Sequence, residues 1–557
     1  MPEYLSPGVY IEELSGPKPI QGVGTSTGAF VGLAERGPTN RPQLVTNMTQ
    51  FSDIFGSFMP KFFLAYGVQH FFTEGGTRCY VVRAFKPSGP PTLTNPTPDT
   101  ARVDLHTTSD NTSPLVMSVL ASSEGTWGNR LSVLAAKPGF SPNADPVKDP
   151  RFKLSVFLDD EPTPIEIFDQ LSMNEFDGPT DFPNPDHVEI RINGISKYIT
   201  VIDATDDRAK ITPPFFPLPP APPLPQVPPH AKLNGGRDGA ALGTGFKTTD
   251  LIGTFATATD PATGLNAFDT VDNINIVAIP DLVNSAFTLS DARDSTLAAF
   301  GYCERRKDCF FVADTPSGLT PQAALDYKRG VKPTVDPEGS AFNSKYGAIY
   351  YPWIQATDPI TGKRKTLPPS GAAAGSYSAA DVRVGVHKAP AGTEDGYLNS
   401  AVNVERVITK GEQDTLNPEG VNVIRKFPDA GVVIWGARTV SNDAEWRYIN
   451  VRRLFIYLEE SILKGTQGLV FEPNDKSLWK RIIRDVGAFL TLAWRAGMLV
   501  GDKPEKAFFV KCDEETNPPE SVDAGMLVTL IGVAPSKPAE FVIFRIRQTR
   551  AGGAAEE

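Results

Sequence analysis

The stretch GVVIWGARTVSNDAEWRYINVRRLFIYLEESILKGTQGLVFEPNDKSLWKRI, residues 431–482, holds two helix patterns in succession. Asn442 followed three residues later by Glu445 has the form of a capping box. Tyr448, Val451, Phe455, Leu458 and Ile462 then make one apolar stripe, which stops at Lys464-Gly465. A second helix is expected from Asn474-Asp475, burying Leu478, Ile482, Val486, Phe489 and Ala493. Its first half carries Lys476, Lys480, Arg481 and Arg484. Cations there oppose the helix dipole by roughly 0.3 kcal/mol or more each, so this face reads either as solvated surface or as a contact for an acidic partner.

On either side of this stretch the chain alternates strand and helix patterns. NINIVAIPDL (273–282) and RRKDCFFVAD (305–314) are nearly continuous apolar runs suited to buried strands, with Leu289 to Tyr302 as the crossover helix between them. GAFVG (28–32) and RCYVVRAF (78–85) read as two more strands, and residues 49–72 between them carry mixed helical signals. From about residue 95 the texture changes to Pro, Thr, Ser, Asn and Asp around short alternating runs, LSVLAA (131–136) and FKLSVFLDD (152–160). This predicts an inserted β-rich domain. The insertion ends in ITPPFFPLPPAPPLPQVPPH (211–230), read as a stiff, extended linker, with a ligand for a proline-reading domain as the alternative.

Both ends of the chain are strand-like. Val9 to Leu14 lies between the breakers Pro7-Gly8 and Gly16-Pro17, and such a strand needs an edge to pair with. Near the other end Val542, Phe544 and Ile546 face one way, and Phe541, Ile543, Arg545 and Arg547 the other. Just before that tail, AFFVKCDEETNPPESVDAGMLVTLIGVAP (507–535) pairs two strand-like runs across a polar turn.

Composition narrows the function. A chain of 557 residues is long enough for several domains, and 51 Pro with 48 Gly imply many turns. The formal charge of −11, without a dense Lys/Arg block, argues against a nucleic-acid partner. No apolar run reaches the roughly 18 residues of a membrane span, and AFLTLAWRAGMLVG is interrupted by Arg495. With no basic start and no apolar leader, the chain is expected to be soluble, without a secretion signal and without membrane insertion. Cys79, Cys303, Cys309 and Cys512 form no C-x-x-C pair and are expected to be free, reduced thiols, buried and inert. The histidines at 70, 106, 187, 230 and 387 are isolated, so no metal site is expected. Gly24-Thr25-Ser26-Thr27-Gly28 fits the G-x-S-x-G of a nucleophile elbow, but breakers precede it and a strand pattern follows it. His387, in VGVHKAPAG, has no independent support as a partner base. GTGFKT (243–248) lacks the spacing of a phosphate-binding loop. Neither a cofactor nor an enzyme is expected.

Taken together, YLSPGVYIEE (4–13), GVGTSTGAFVGLAERGPTNRPQLVTNMTQFSDIFG (22–56), ASSEGTWGNRLSV (121–133), LNGGRDG (233–239), YYPWIQATDPITGKRKTLPPSGAAAGSYSAADVRVGVHKAPAG (350–392), the 431–482 stretch and GVAPSKPAEFVIFRI (532–546) resemble the sheath proteins of contractile phage tails and contractile injection systems. The resemblance is weakest over 134–232. It implies an α+β or α/β multidomain fold, a sheath-like core with exchanged terminal strands and an inserted β-rich outer domain. The expected divisions are an arm at 1–22, a middle domain at 23–94 and 233–395 split by the insertion at 95–232, a C-terminal core at 396–539 and a second arm at 540–557. Val9, Tyr10, Ile11 and Glu12, with Phe541, Val542, Ile543, Phe544, Arg545 and Ile546, would pair with neighbouring subunits. Lys476, Lys480, Arg481 and Arg484 would face an acidic inner tube. The implied function is a structural subunit of stacked hexameric rings that contract around an inner tube, with baseplate and terminal cap proteins as further partners and assembly in the cytoplasm of the producing cell. The competing readings are a serine hydrolase using Ser26 and a static shell or adhesive surface protein.

Overall fold

The computed structural model describes residues 19–90, 97–107, 114–139, 151–175, 183–204, 230–331, 341–541 and 543. The chain divides into two compact units: Thr25–Arg383 with Pro390–Ile449, and Met1–Gly24 with Val384–Ala389 and Asn450–Glu557.

The larger unit is built on an eight-stranded sheet. Its strands are β1 (Gly28–Gly32), β2 (Gln43–Val45), β3 (Cys79–Arg83), β4 (Ile276–Ala278), β5 (Phe310–Asp314), β6 (Gly347–Tyr351), β7 (Val421–Phe427) and β8 (Gly431–Ile434). The spatial order is β8-β7-β6-β5-β4-β1-β3-β2, parallel from β7 through β3, with antiparallel strands at the two edges. The apolar runs that predicted these strands are continuous because the parallel strands are covered on both faces. Every residue of β1, β4, β5 and β6 is buried.

Helices α1 (Met48–Phe55) and α2 (Leu64–Thr73) resolve the mixed signals of residues 49–72, and α3 (Leu289–Arg306) is the expected crossover between β4 and β5. Helix α4 (Ser370–Arg383) packs directly on α2. A Cβ on Gly371 would stand 2.3 Å from the Gly67 carbonyl oxygen, and one on Gly375 would stand 2.6 Å from that of Phe71. The missing side chains therefore set how closely the two backbones approach.

Between β3 and β4 the expected β-rich insertion forms two antiparallel sheets. One orders Ala231–Lys232, Leu131–Ala136, Phe152–Leu158 and Glu166–Leu171. The other orders Arg102–His106, Leu115–Ala121 and Ile199–Asp203. Val119, Leu131, Phe152, Leu154 and Val201 belong to its core. Arg83, at the end of β3, is 2% exposed and donates to the carbonyls of Ala34, Gly37 and Glu124, tying β3 to the segment after β1 and to a loop inside the insertion. Burial presses its guanidinium down to about 10. Of the Pro-rich stretch, residues 211–229 lie outside the described residues.

In the smaller unit, helices α5 (Ile449–Thr466) and α6 (Lys476–Arg495) and the antiparallel pair β9 (Phe508–Lys511) and β10 (Leu530–Val533) surround Leu454, Leu458, Leu478, Ile482, Val486, Phe489 and Leu490. Helix α6 starts where expected: the Asp475 carboxylate accepts from the N–H groups of Ser477 and Leu478, both at 2.9 Å. Helix α5 does not. The expected box at Asn442 and Glu445 is absent, because the Glu445 N–H bonds the Asp443 carboxylate at 2.9 Å and the Asp443 N–H bonds the Ser441 hydroxyl at 3.1 Å. These short side chains hold a turn in competition with the helix. Tyr448 pairs with Arg438 as a bridge, and the helix opens at Ile449. Residues 396–449 were expected with the C-terminal core; β7 and β8 instead extend the large sheet beside β6.

Candidate assembly surfaces

In doubly wound sheets a ligand binds at the carboxyl edge, where strand order reverses. Here that point lies between β1 and β4. The Asp281 side chain, 0% exposed, fills it: Oδ2 accepts from Leu33 N–H at 2.9 Å and Oδ1 from Phe63 N–H, at the start of α2, at 2.6 Å. Burial lifts this carboxyl to about 6 against the pull of the backbone donors. A Cβ on Gly32 would lie 2.4 Å from Asp281 Oδ2, so glycine leaves the carboxylate its place. One strand along, buried Asp314 accepts from Ser370 N–H at 2.7 Å, the first residue of α4, and burial lifts it to about 7. The edge that holds ligands in related architectures thus holds the chain's own carboxylates. Both were missed in the sequence, although each ends an apolar run, in AIPDL and FFVAD.

Ser26 stands in a segment that runs straight into β1, and the next helix begins only at Met48. The Ser26 carbonyl accepts from the Ser378 hydroxyl at 3.2 Å, and the Thr27 N–H donates to Asn275 Oδ1 at 3.2 Å. An elbow needs its strand before the serine and its helix after. This serine has the strand on the wrong side. Among the described residues no group of three or more His, Cys, Asp or Glu is placed to hold a metal ion, and no helix is long and apolar enough to cross a membrane.

Sheet β9–β10 has a different character. Among the described residues it contains two strands only, registered from Phe508 opposite Val533 to Lys511 opposite Leu530. Two-stranded sheets are marginal alone, and an unpaired edge offers backbone N–H and C=O groups to another chain. Phe509 and Leu530 on these strands are each 53% exposed, and Met526 and Val528 before β10 are exposed too. Phe541 and Ile543 are 71% and 78% exposed and lie in no strand. The other arm positions, Val9, Tyr10, Ile11, Glu12, Val542, Phe544, Arg545 and Ile546, lie outside the described residues.

The four cations of α6 do not act alike. Lys476 pairs with Glu514 at 2.5 Å; Arg481 lies 3.8 Å from both Glu472 and Asp485; Arg484 bonds Asp485 at 2.9 Å. Lys480 is exposed, and Arg484 keeps 61% of its side chain in solvent despite its pair. Acidic neighbours thus offset much of the unfavourable charge at the helix start.

Two family models match the chain, the phage tail sheath protein central domain over residues 253–440 and the phage tail sheath C-terminal domain over 441–549. The chain belongs to the phage tail sheath protein family. It is 26% identical over 249 residues to the tail sheath protein of Vibrio phage KVP40, covering 42% of this chain and 36% of that protein. To the tail sheath protein of Salmonella phage ViI it is 26% identical over 309 residues, covering 52% and 46%. The chain thus matches less than half the length of either relative. Its fold is that of the sheath of an extracellular contractile injection system, the PVC sheath complex in its contracted state (TM-score 0.56, 19% identity, 99% of both chains). It is also similar to the Listeria innocua sheath tail protein (TM-score 0.56, 11% identity, 93% of this chain and 96% of that one). The mixed α/β, multi-sheet class expected from the sequence holds across this comparison.

Proposed function

We propose that this chain is the repeating subunit of a contractile sheath, stacking as hexameric rings around an inner tube and shortening to drive that tube through a target envelope. The observation that carries the reading is the two-stranded sheet β9–β10, which has exposed apolar side chains and no third strand among the described residues. Val9 to Glu12 of one neighbour and Phe541 to Ile546 of another supply strands of the alternation such an edge accepts. Main-chain hydrogen bonds then join each subunit to its neighbours while other contacts exchange, so contraction is a collective rigid-body change that needs no nucleotide. On this reading 1–22 and 540–557 are arms, and 95–232 is an outer insertion in a middle layer whose sheet continues through β7 and β8, ahead of a C-terminal core. Baseplate and cap proteins close the two ends of the particle, which assembles in the cytoplasm of the producing cell.

Lys480 and Arg484, with Lys476 and Arg481 beside them, face the inner tube in this arrangement. Exposed pairs of this kind contribute at most about 1 kcal/mol each and can release during sliding. The test is electron microscopy of the full chain and of chains lacking residues 1–14 or 540–557. The full chain is expected to form hollow tubes with sixfold rings, and each truncation to remain a folded monomer. Normal tubes from a truncation would overturn strand exchange. Tubes with a single diameter and pitch under every trigger would favour a static shell.

A further inference from the structure

All four cysteines are free and buried, but they are not equivalent. Cys303, in the last turn of α3, and Cys309, the residue before β5, meet with their sulfurs 3.5 Å apart, Cys309 donating to Cys303, and both are 0% exposed. The turn between them is held on every side. Lys307 takes a left-handed conformation (φ 69°), and its N–H closes on the Cys303 carbonyl at 2.8 Å. The Arg306 guanidinium grips Asp308 at 2.5 and 2.9 Å, the carbonyls of Phe268 and Val271 at 2.6 and 2.8 Å, and the Tyr302 hydroxyl at 3.2 Å. A disulfide needs about 2.05 Å between sulfurs. That leaves roughly 1.5 Å to be closed by rotation of the two side chains.

We propose that Cys303 and Cys309 are a latent disulfide, kept as a dithiol under reducing conditions and closed by hydrogen peroxide. In the first step one sulfur attacks peroxide: an S–O bond forms, the O–O bond breaks, and a sulfenic acid and one water result. In the second the other sulfur attacks the oxidised one: the S–S bond forms, the S–O bond breaks, and a second water leaves with the remaining protons. The two thiols lose two electrons and two protons in all, and peroxide is reduced to two waters. Burial raises the Cys309 thiol well above its ordinary range, with Arg306 pulling the other way, so reaction is slow and favours a small oxidant over a bulky disulfide. The product staples the end of the crossover helix to the start of a central strand.

The experiment exposes the full native chain to millimolar peroxide, blocks remaining thiols in denaturant, digests with trypsin and reads the peptides by mass spectrometry. Arg305, Arg306 and Lys307 lie between the two cysteines, so their peptides stay together only if a disulfide joins them. The expected result is one linked pair lighter by two hydrogens, separated by dithiothreitol, with Cys79 and Cys512 still blocked as thiols. In Cys309→Ser a dimedone-reactive Cys303 is expected instead. Exposed Met526 reports whether the oxidant acted. Four unreacted thiols beside an oxidised Met526, or a linkage through Cys79 or Cys512, would overturn the proposal.

Discussion

Asp281 and Phe63 meet at 2.6 Å, carboxylate to backbone N–H, 218 residues apart in sequence. The contact fixes the first turn of α2 at the place where the order of the central sheet reverses. Replacing Asp281 by Ala takes the acceptor from the part-buried N–H groups of Leu33 and Phe63, at a cost of about 1–3 kcal/mol. Chemical denaturation should show that loss. Formate, which matches the deleted carboxylate, should recover part of the melting temperature; no recovery would mean that lost packing dominates.

Asp314 should make stability depend on pH. Its folded value of about 7 stands above the ordinary 3.8, so the folded state holds the proton longer than the unfolded chain does. The associated stability is therefore fully present below pH 4, falls as pH rises toward 7, and is flat above that. Against Asp314→Asn, whose side chain never ionises, the wild type should lose on the order of 4 kcal/mol across that window. His70, which burial presses down to about 4, acts in the opposite sense but is common to both proteins and cancels. Parallel melting curves at pH 4 to 8 that keep a constant gap would contradict this.

Gly371→Ala tests the contact of α2 with α4. The new methyl meets backbone at 2.3 Å rather than a movable side chain. The helices must separate, and a loss of roughly 3 kcal/mol is expected in urea unfolding. Gly411→Ala, where a Cβ meets nothing within 4 Å, should cost far less.

On the proposed reading, Lys480→Glu with Arg484→Glu should leave folding and tube formation by the sheath alone intact while weakening its hold on an acidic inner tube. Co-sedimentation with isolated tubes should show the loss, largest at low salt and fading as salt screens the wild-type attraction. Undiminished binding at low salt would remove α6 from that contact.

Much of the fold can be read along the chain because its signals are local. The buried positions of α6 follow helical spacing, the Asp475 cap sits where its residue type implied, and β1, β3, β4 and β5 lie within apolar runs that two covered faces require. All four cysteines are buried, as their residue type implied. At the two ends the sequence shows alternation only, and most of those residues lie outside the described ones.

Tertiary structure decided the rest, for reasons of distance. Asp281 and Asp314 stand in the sequence only as acids at the ends of apolar runs, and the N–H groups they accept from lie 218 and 56 residues away. Gly371 looks like a helix-weakening residue until Gly67 lies against it. At 441–448 local side-chain bonds outcompeted a helix pattern that the sequence displays in full, and α5 opens at Ile449. Periodicity records which face of an element is apolar. Which groups meet across that face is set only when the chain closes on itself.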